Sequence, residues 1–241
     1  MITNQNFIEN NITTDNGEIL PFLWTHGGTK THMGDGIIVY SLIQHMRVKN
    51  CVCIGSGAGY IPRIMTQSRI DLHKQGIFEG DNDYNWGDIG TTYVVDPCNG
   101  VGGQSTMGDE NGFYRTHFYP RFVKEKSEDA YYNFFVRENI KIDLLFIDGD
   151  HSYEGVKKDF DLYSKIVSPH GLILIHDTDS SYSETLIVSE DAKKDFYSFD
   201  GPSKLVKELE NNDEWVVLNL FNYGIIKDKP SSTGLTIIKR K

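Results

Sequence analysis

Two patterns of apolar residues alternate along this chain. Short uninterrupted runs occur at Cys51–Ile54, within TTYVVDP, at Ile142–Ile147 and at 172–175. Between them, apolar positions recur every three to four residues. Ile38, Leu42 and Met46 share such a face with Val39 and Ile43, Ile61 and Ile64 follow a start near Ala58, and Val156, Phe160, Tyr163 and Val167 form another. The runs predict strands covered on both faces, and the periodic stretches predict amphipathic helices. Pro169 and Gly171 should stop the third helix, and a further helix is expected near 203–209. Residues 121–125 fit another strand, with Ser127 placed to cap the helix after it. The C-terminal stretch EWVVLNLFNYGIIKDKPSSTGLTIIKRK reads as two strands joined by a turned segment, an antiparallel pair. Strand and helix in alternation imply an α/β, Rossmann-like doubly wound sheet, mostly parallel, with helices on both faces. An antiparallel closing strand would complete seven.

Residues 1–33 are polar and irregular, with Trp24, His26 and a Gly27-Gly28 pair, and are a candidate substrate lid; His26 and His32 can line the pocket, though their spacing does not single them out. The rest, 34–241, reads as one domain with insertions near 70–90, 98–120 and 178–200. Such rim insertions usually carry specificity. Asp81-Asn82-Asp83-Tyr84-Asn85 briefly looks like a calcium loop. Trp86 stands where that loop needs glycine, so it is discounted.

Composition narrows the function. The chain has 241 residues, a net charge of -10 and three cysteines. No basic surplus neutralises phosphates, so a nucleic-acid partner is not expected. Cys51, Cys53 and Cys98 form no disulfide framework, the N-terminus lacks a signal-peptide pattern, and no apolar run is long enough to span a bilayer. A cytoplasmic setting without membrane contact is the expectation. A homo-oligomer is compatible with the sequence.

Chemistry concentrates at four strand ends. Gly55-Ser56-Gly57-Ala58-Gly59 links a strand to a helix, where glycines let backbone amides approach a ligand. Asp96 ends the next strand and can accept hydrogen bonds from an adenosine ribose. Asp148, Asp150 and His151 follow one apolar run, and His176-Asp177 end its neighbour. Ligands in open α/β sheets bind at such carboxyl ends. Carboxylates from two adjacent tips suit Mg²⁺, and ligation by His176 would favour Mn²⁺, Fe²⁺ or Zn²⁺. The metal set is thus Asp148, His176 and Asp177. His151 is the candidate general base, with Asp150 the alternative. Against this, Asp150 or Ser152 can simply cap the following helix.

CIGSGAGY, YVVDP and FIDGDHSYEGVKKDF…GLILIHD together resemble class I S-adenosylmethionine-dependent methyltransferases, nearest to the bacterial small-molecule O-methyltransferases that tailor sugars, macrolides and cephalosporins. The resemblance covers roughly 35–177. It implies that Gly55, Ser56, Gly57, Gly59 and Tyr60 cradle the cofactor, that Asp96 holds the ribose, and that Ser127 contacts adenine. It further implies that Asp148 carries the metal and borders the cofactor. In catechol-type relatives the residue three beyond that Asp is the base, here His151. Two departures stand out. Cys53 replaces the usual acidic residue before the first glycine, and the second acidic pair is His-Asp. The implied activity is methyl transfer to a hydroxyl of a small polar acceptor, a sugar or glycosylated metabolite, with a divalent metal (Mg or Mn). The rivals are an NAD(P)-dependent oxidoreductase, an inactive methyltransferase-like partner protein and a macromolecular methyltransferase.

Overall fold

The computed structural model describes residues 34–57, 59–74, 90–98, 120–179, 200–221, 225–226, 229–230 and 234–241. The expectations for His26, His32, the discounted calcium loop and most of the three insertions lie outside these residues. The chain divides into two compact units, up to Lys126 and from Ser127.

In the first unit, helix α1 (Asp35–Met46) precedes β1 (Cys51–Ile54), and α2 (Tyr60–Lys74) follows it. Then come β2 (Thr92–Val95) and β3 (Arg121–Val123). All three strands are parallel, with β2 between β1 and β3. Every side chain of β1 and β2 is buried, which is why both read as unbroken apolar runs. Helix α1 buries Gly36, Val39 and Ile43, while Ile38, Leu42 and Met46 are only half-buried, so the buried stripe lies beside the expected one. Helix α2 starts at Tyr60 rather than near Ala58, and places Pro62 in its first turn, where a missing N–H costs nothing. It is buried on nearly every side despite Arg63, Arg69 and Asp71. Two of those polar groups are satisfied locally: Arg69 Nη2 donates to Thr92 Oγ1 (2.7 Å), and Tyr40 donates to Asp71 Oδ2 (2.8 Å).

The second unit opens with a short helix α3 (Ser127–Ala130) that continues as a π-helical segment (Tyr131–Val136). Next are β4 (Ile142–Ile147), α4 (Tyr153–Tyr163), β5 (Val167–His176), α5 (Gly201–Glu210) and β6 (Trp215–Leu220). A two-stranded hairpin, β7 (Ile225–Ile226) and β8 (Lys229–Pro230), leads to β9 (Leu235–Arg240). Strands β4 and β5 are parallel, whereas β9 runs antiparallel to both β5 and β6. The closing antiparallel pair is therefore present. Seven strands make a mixed sheet, mostly parallel with antiparallel closing strands.

One boundary differs from the periodicity. Val167 continues the helical spacing of α4 but already belongs to β5, and Pro169 and Gly171 lie inside the strand. The chain accommodates them by a register shift: Ile142 faces Val167, yet Leu144 faces Leu172. A bulge of this kind frees Pro169 from the ladder bond it cannot make. Helix α4 instead ends at Tyr163, and Ile142 N–H bonds to Ile166 O across the turn.

Candidate active site

The glycine turn of the first unit is built from backbone geometry. Gly55, Gly57 and Gly59 all have positive φ (82°, 49° and 88°), a region costly for side chains with a Cβ. A Cβ at Gly57 would meet nothing within 4 Å, so the turn is open there. Gly59 N–H closes the turn onto Ser56 O at 2.7 Å. Asp96, at the end of β2, grips the turn. Its Oδ2 accepts from Ser56 N (3.0 Å) and Ser56 Oγ (2.6 Å), and its Oδ1 accepts from Cys98 N (2.8 Å). Ser56 and Asp96 are buried, and among the described residues Asp96 Oδ1 accepts the one hydrogen bond from Cys98 N. Cys53, at the position where relatives carry an acid, donates its thiol to Gly55 O at 3.1 Å. Tyr60 is buried with its ring against Gly36, and burial, aided by the Asp35 charge, raises its hydroxyl pKa strongly.

In the second unit the parallel pairing of Ile147 with Ile175 brings two strand ends together. Asp148 leaves one, and His176 and Asp177 leave the other. Asp177 has φ 57°, the left-handed conformation that an Asp tolerates better than most residues. His151 Nε2 lies 3.2 Å from Asp148 Oδ1 and 3.3 Å from Asp177 Oδ2. His176 Nδ1 lies 3.4 Å from Asp148 Oδ1 and 3.1 Å from Asp177 Oδ1. Two imidazoles thus flank one pair of carboxylates. The His176 side chain is 1% exposed and stacks at a tilt on Phe146, 5.9 Å between ring centroids, whereas His151 is 21% exposed.

The charges follow from this placement. For His176, burial opposes the charged form, but the Asp177 and Asp148 carboxylates overcome it and hold the pKa well above 6.5. For Asp177, burial favours the neutral acid, yet the His176 charge and hydrogen bond bring its pKa below the usual carboxylate range. His151 is also raised: burial pulls it down, and the hydrogen bond to Asp148 with the charges of Asp148 and Asp177 outweighs that.

The expected site residues separate into groups. Asp148, His151 and Asp177 come together, and one ligand atom from each lies within 4.8 Å of the others. His151 occupies the third place in this set, which the sequence pattern assigns to His176. Asp150 is exposed and serves the backbone: its Oδ1 accepts from Ser152 N (2.9 Å), and its carboxylate folds over Gly155. Ser152 is the N-cap of α4, its Oγ accepting from Gly155 N at 3.1 Å. Ser127 begins α3, and its carbonyl accepts from Tyr163 Oη at 2.8 Å. Its hydroxyl bonds to Asp159, a buried acid that the sequence pattern does not single out. Burial, as the largest influence, pushes Asp159 up to about 6 against the pull of that hydrogen bond.

A glycine turn after β1 and a pair of strand ends bearing carboxylates and imidazoles after β4 and β5 are thus the chemical features of this α/β fold. The family model described as "Methyltransferase domain" matches residues 52–178, more than half of the chain, and the chain belongs to this family. In fold it is similar to an O-methyltransferase from Bacillus cereus solved with S-adenosylhomocysteine (TM-score 0.58, 12% identity, covering 86% of this chain and 80% of that one). It is likewise similar to the O-methyltransferase TomG from Streptomyces achromogenes, solved with S-adenosylmethionine (TM-score 0.54, 11% identity, 86% and 79%). Two curated sequences match shorter stretches. "Uncharacterized protein y4gI" from Sinorhizobium fredii is 32% identical over 84 residues, 30% of this chain and 9% of the relative. "Uncharacterized protein R132" from Acanthamoeba polyphaga mimivirus is 56% identical over 36 residues, 15% and 16%. The matched stretches thus span only a small part of either relative's length. Among the described residues, no helix is long and apolar enough to cross a membrane.

Proposed function

We propose that the chain transfers a methyl group from S-adenosylmethionine to a hydroxyl of a small polar acceptor, a sugar or glycosylated metabolite, with His151 as the general base. The observation that carries the reading is the placement of His151 Nε2 between Asp148 and Asp177. When the imidazole is neutral, two carboxylates on Nε2 favour the tautomer with its proton there, leaving Nδ1 as the basic nitrogen. When it is charged, the same carboxylates stabilise the imidazolium. This is the orienting role an acid plays beside a catalytic histidine. The open backbone at Gly57 fits close approach of the cofactor, which supplies an electrophilic methyl on a sulfonium. Asp96 keeps that turn in shape and can accept from a ribose hydroxyl.

A second reading is favoured by the same three ligand atoms. Asp148, His151 and Asp177 can hold a divalent cation in place of the Nε2 proton. Two carboxylates and an imidazole suit Mn²⁺, Fe²⁺ or Zn²⁺ better than Mg²⁺. Such an ion would lower the pKa of an acceptor hydroxyl.

Calorimetric titration of metal-stripped protein with S-adenosylhomocysteine, with NAD⁺ as control, tests the cofactor. Binding of the first and none of the second is expected; NAD⁺ binding alone would turn the reading to an oxidoreductase. Labelled S-adenosylmethionine with a panel of sugars and catechols then tests transfer. His151→Ala should lower turnover by about 100-fold or more, the contribution of general base catalysis, with cofactor affinity nearly unchanged. Undiminished turnover would remove His151 from the chemistry.

A further inference from the structure

The turn that carries His151 has no room to move on the side of α5. A Cβ on Gly201, the first residue of that helix, would stand 2.2 Å from the His151 carbonyl oxygen. It would also stand 2.5 Å from Tyr153 N and 2.6 Å from the Ser152 carbonyl carbon. All three are backbone atoms, so no side chain can swing aside. The φ of Gly201 is not in the left-handed region, so glycine is needed here for close approach and not for conformation. Further along α5, Glu208 accepts the hydroxyl of Tyr153 and lies 3.5 Å from Lys157 Nζ. On its other side the turn is fixed by its own caps, Asp150 Oδ1 on Ser152 N and Ser152 Oγ on Gly155 N.

We infer that Gly201 is a positioning residue for His151, with the Tyr153–Glu208 contact as a second tether. Helix α5 seats the 151–153 backbone at a depth that sets His151 Nε2 within 3.2–3.3 Å of both carboxylates. Those distances already stand at the long end of the hydrogen-bond range, so a small outward shift of the turn breaks the contacts. An added methyl at residue 201 pushes the His151 carbonyl outward and takes the imidazole off one or both carboxylates. The inference rests on the reading that His151 does its work between those carboxylates, as base or as ligand. Its test therefore needs no acceptor substrate.

The measurement is the rate of carbethoxylation of each histidine by diethyl pyrocarbonate, resolved by peptide mass spectrometry, in the wild type, Gly201→Ala and Tyr153→Phe. In Gly201→Ala, His151 should react faster by about tenfold, as expected when a charge-assisted hydrogen bond no longer restrains the ring. His45 and His170 serve as internal references and should keep their rates. Tyr153→Phe, which adds no bulk, should show the same change to a smaller extent and covers the case in which Gly201→Ala fails to fold. Affinity for S-adenosylhomocysteine should stay near that of the wild type in both. A general loosening of the protein would instead raise all the histidine rates together, and would overturn the specific role. The inference is also overturned if His151 keeps its wild-type rate in folded Gly201→Ala, or in Tyr153→Phe where the former does not fold. Loss of the role of His151 itself would show separately, as undiminished methyl transfer by His151→Ala.

Discussion

Asp159 shows how one buried group sets a pH dependence. It is 3% exposed on α4, and its pKa is pushed up to about 6, above the value of a free carboxyl. The neutral acid is the form the fold prefers. Its stabilising contribution is complete at pH below the unfolded pKa, and is lost as pH rises through about 6. Asp159→Asn keeps an acceptor for the Ser127 hydroxyl and removes the charge. The difference in unfolding free energy between variant and wild type should therefore be flat in acid and grow between about pH 4 and pH 6, to at most about 3 kcal/mol in favour of the variant. Parallel denaturation curves across that range would show that Asp159 does not titrate there. Ser152→Ala tests the cap of α4 in the same way, with an expected loss of about 1 kcal/mol and no pH dependence. At the two strand tips, the placement of Asp148 and Asp177 on neighbouring strand ends was legible because each lies just beyond an apolar run. How the two histidines would share that pair of carboxylates was not. Simple strand alternation gives no direction for residue 177 once its backbone turns left-handed.

At the scale of elements, apolar runs predicted strands well because strands covered on both faces tolerate few polar residues. Helix limits were harder. Val167 falls on the helical period of α4 by coincidence, since an apolar side chain there suits the start of β5 equally well. The π-helical segment at Tyr131–Val136 has no sequence pattern of its own, because its apolar residues fit an ordinary helix too. The bulge in β5 gives a measurable consequence. A Cβ on Gly171 would lie 2.6 Å from Val167 Cγ1 and 3.0 Å from the carbonyl oxygens of Ile142 and Asp143. Gly171→Ala should destabilise the protein by about 1–3 kcal/mol, the usual range for overpacking. Chemical denaturation checks this, and an unchanged midpoint would mean that β5 shifts freely against β4. Cofactor affinity is the contrasting readout, because the glycine turn sits in the other unit of the chain.

For the whole molecule, the chemical choice is between a proton and a cation at His151 Nε2. Net charge alone favours cations in general, since the chain carries -10. Any stabilisation by a metal must therefore be judged by selectivity and by which side chains it needs. If Asp148, His151 and Asp177 hold an ion, saturating Mn²⁺ or Zn²⁺ at about 100 times its dissociation constant adds about 2.7 kcal/mol to the folded state. For a chain of this size that raises the melting temperature by roughly 5–10 °C. Mg²⁺ at the same concentration should do much less, because an imidazole ligand favours the softer ions. Asp148→Asn should abolish the shift under either metal, and His151→Gln should reduce it strongly. A shift that survives both substitutions marks diffuse screening of the acidic surface. No shift with any of these ions leaves the proton at Nε2, and makes His151 a metal-independent base. In that case its raised pKa fixes the sign of the rate profile: the imidazole must lose a proton before it can act, so turnover should fall on the acid side with a midpoint above 6.5. With a cation bound at Nε2, that acid limb should move to lower pH, because the ion competes with the proton for the same nitrogen.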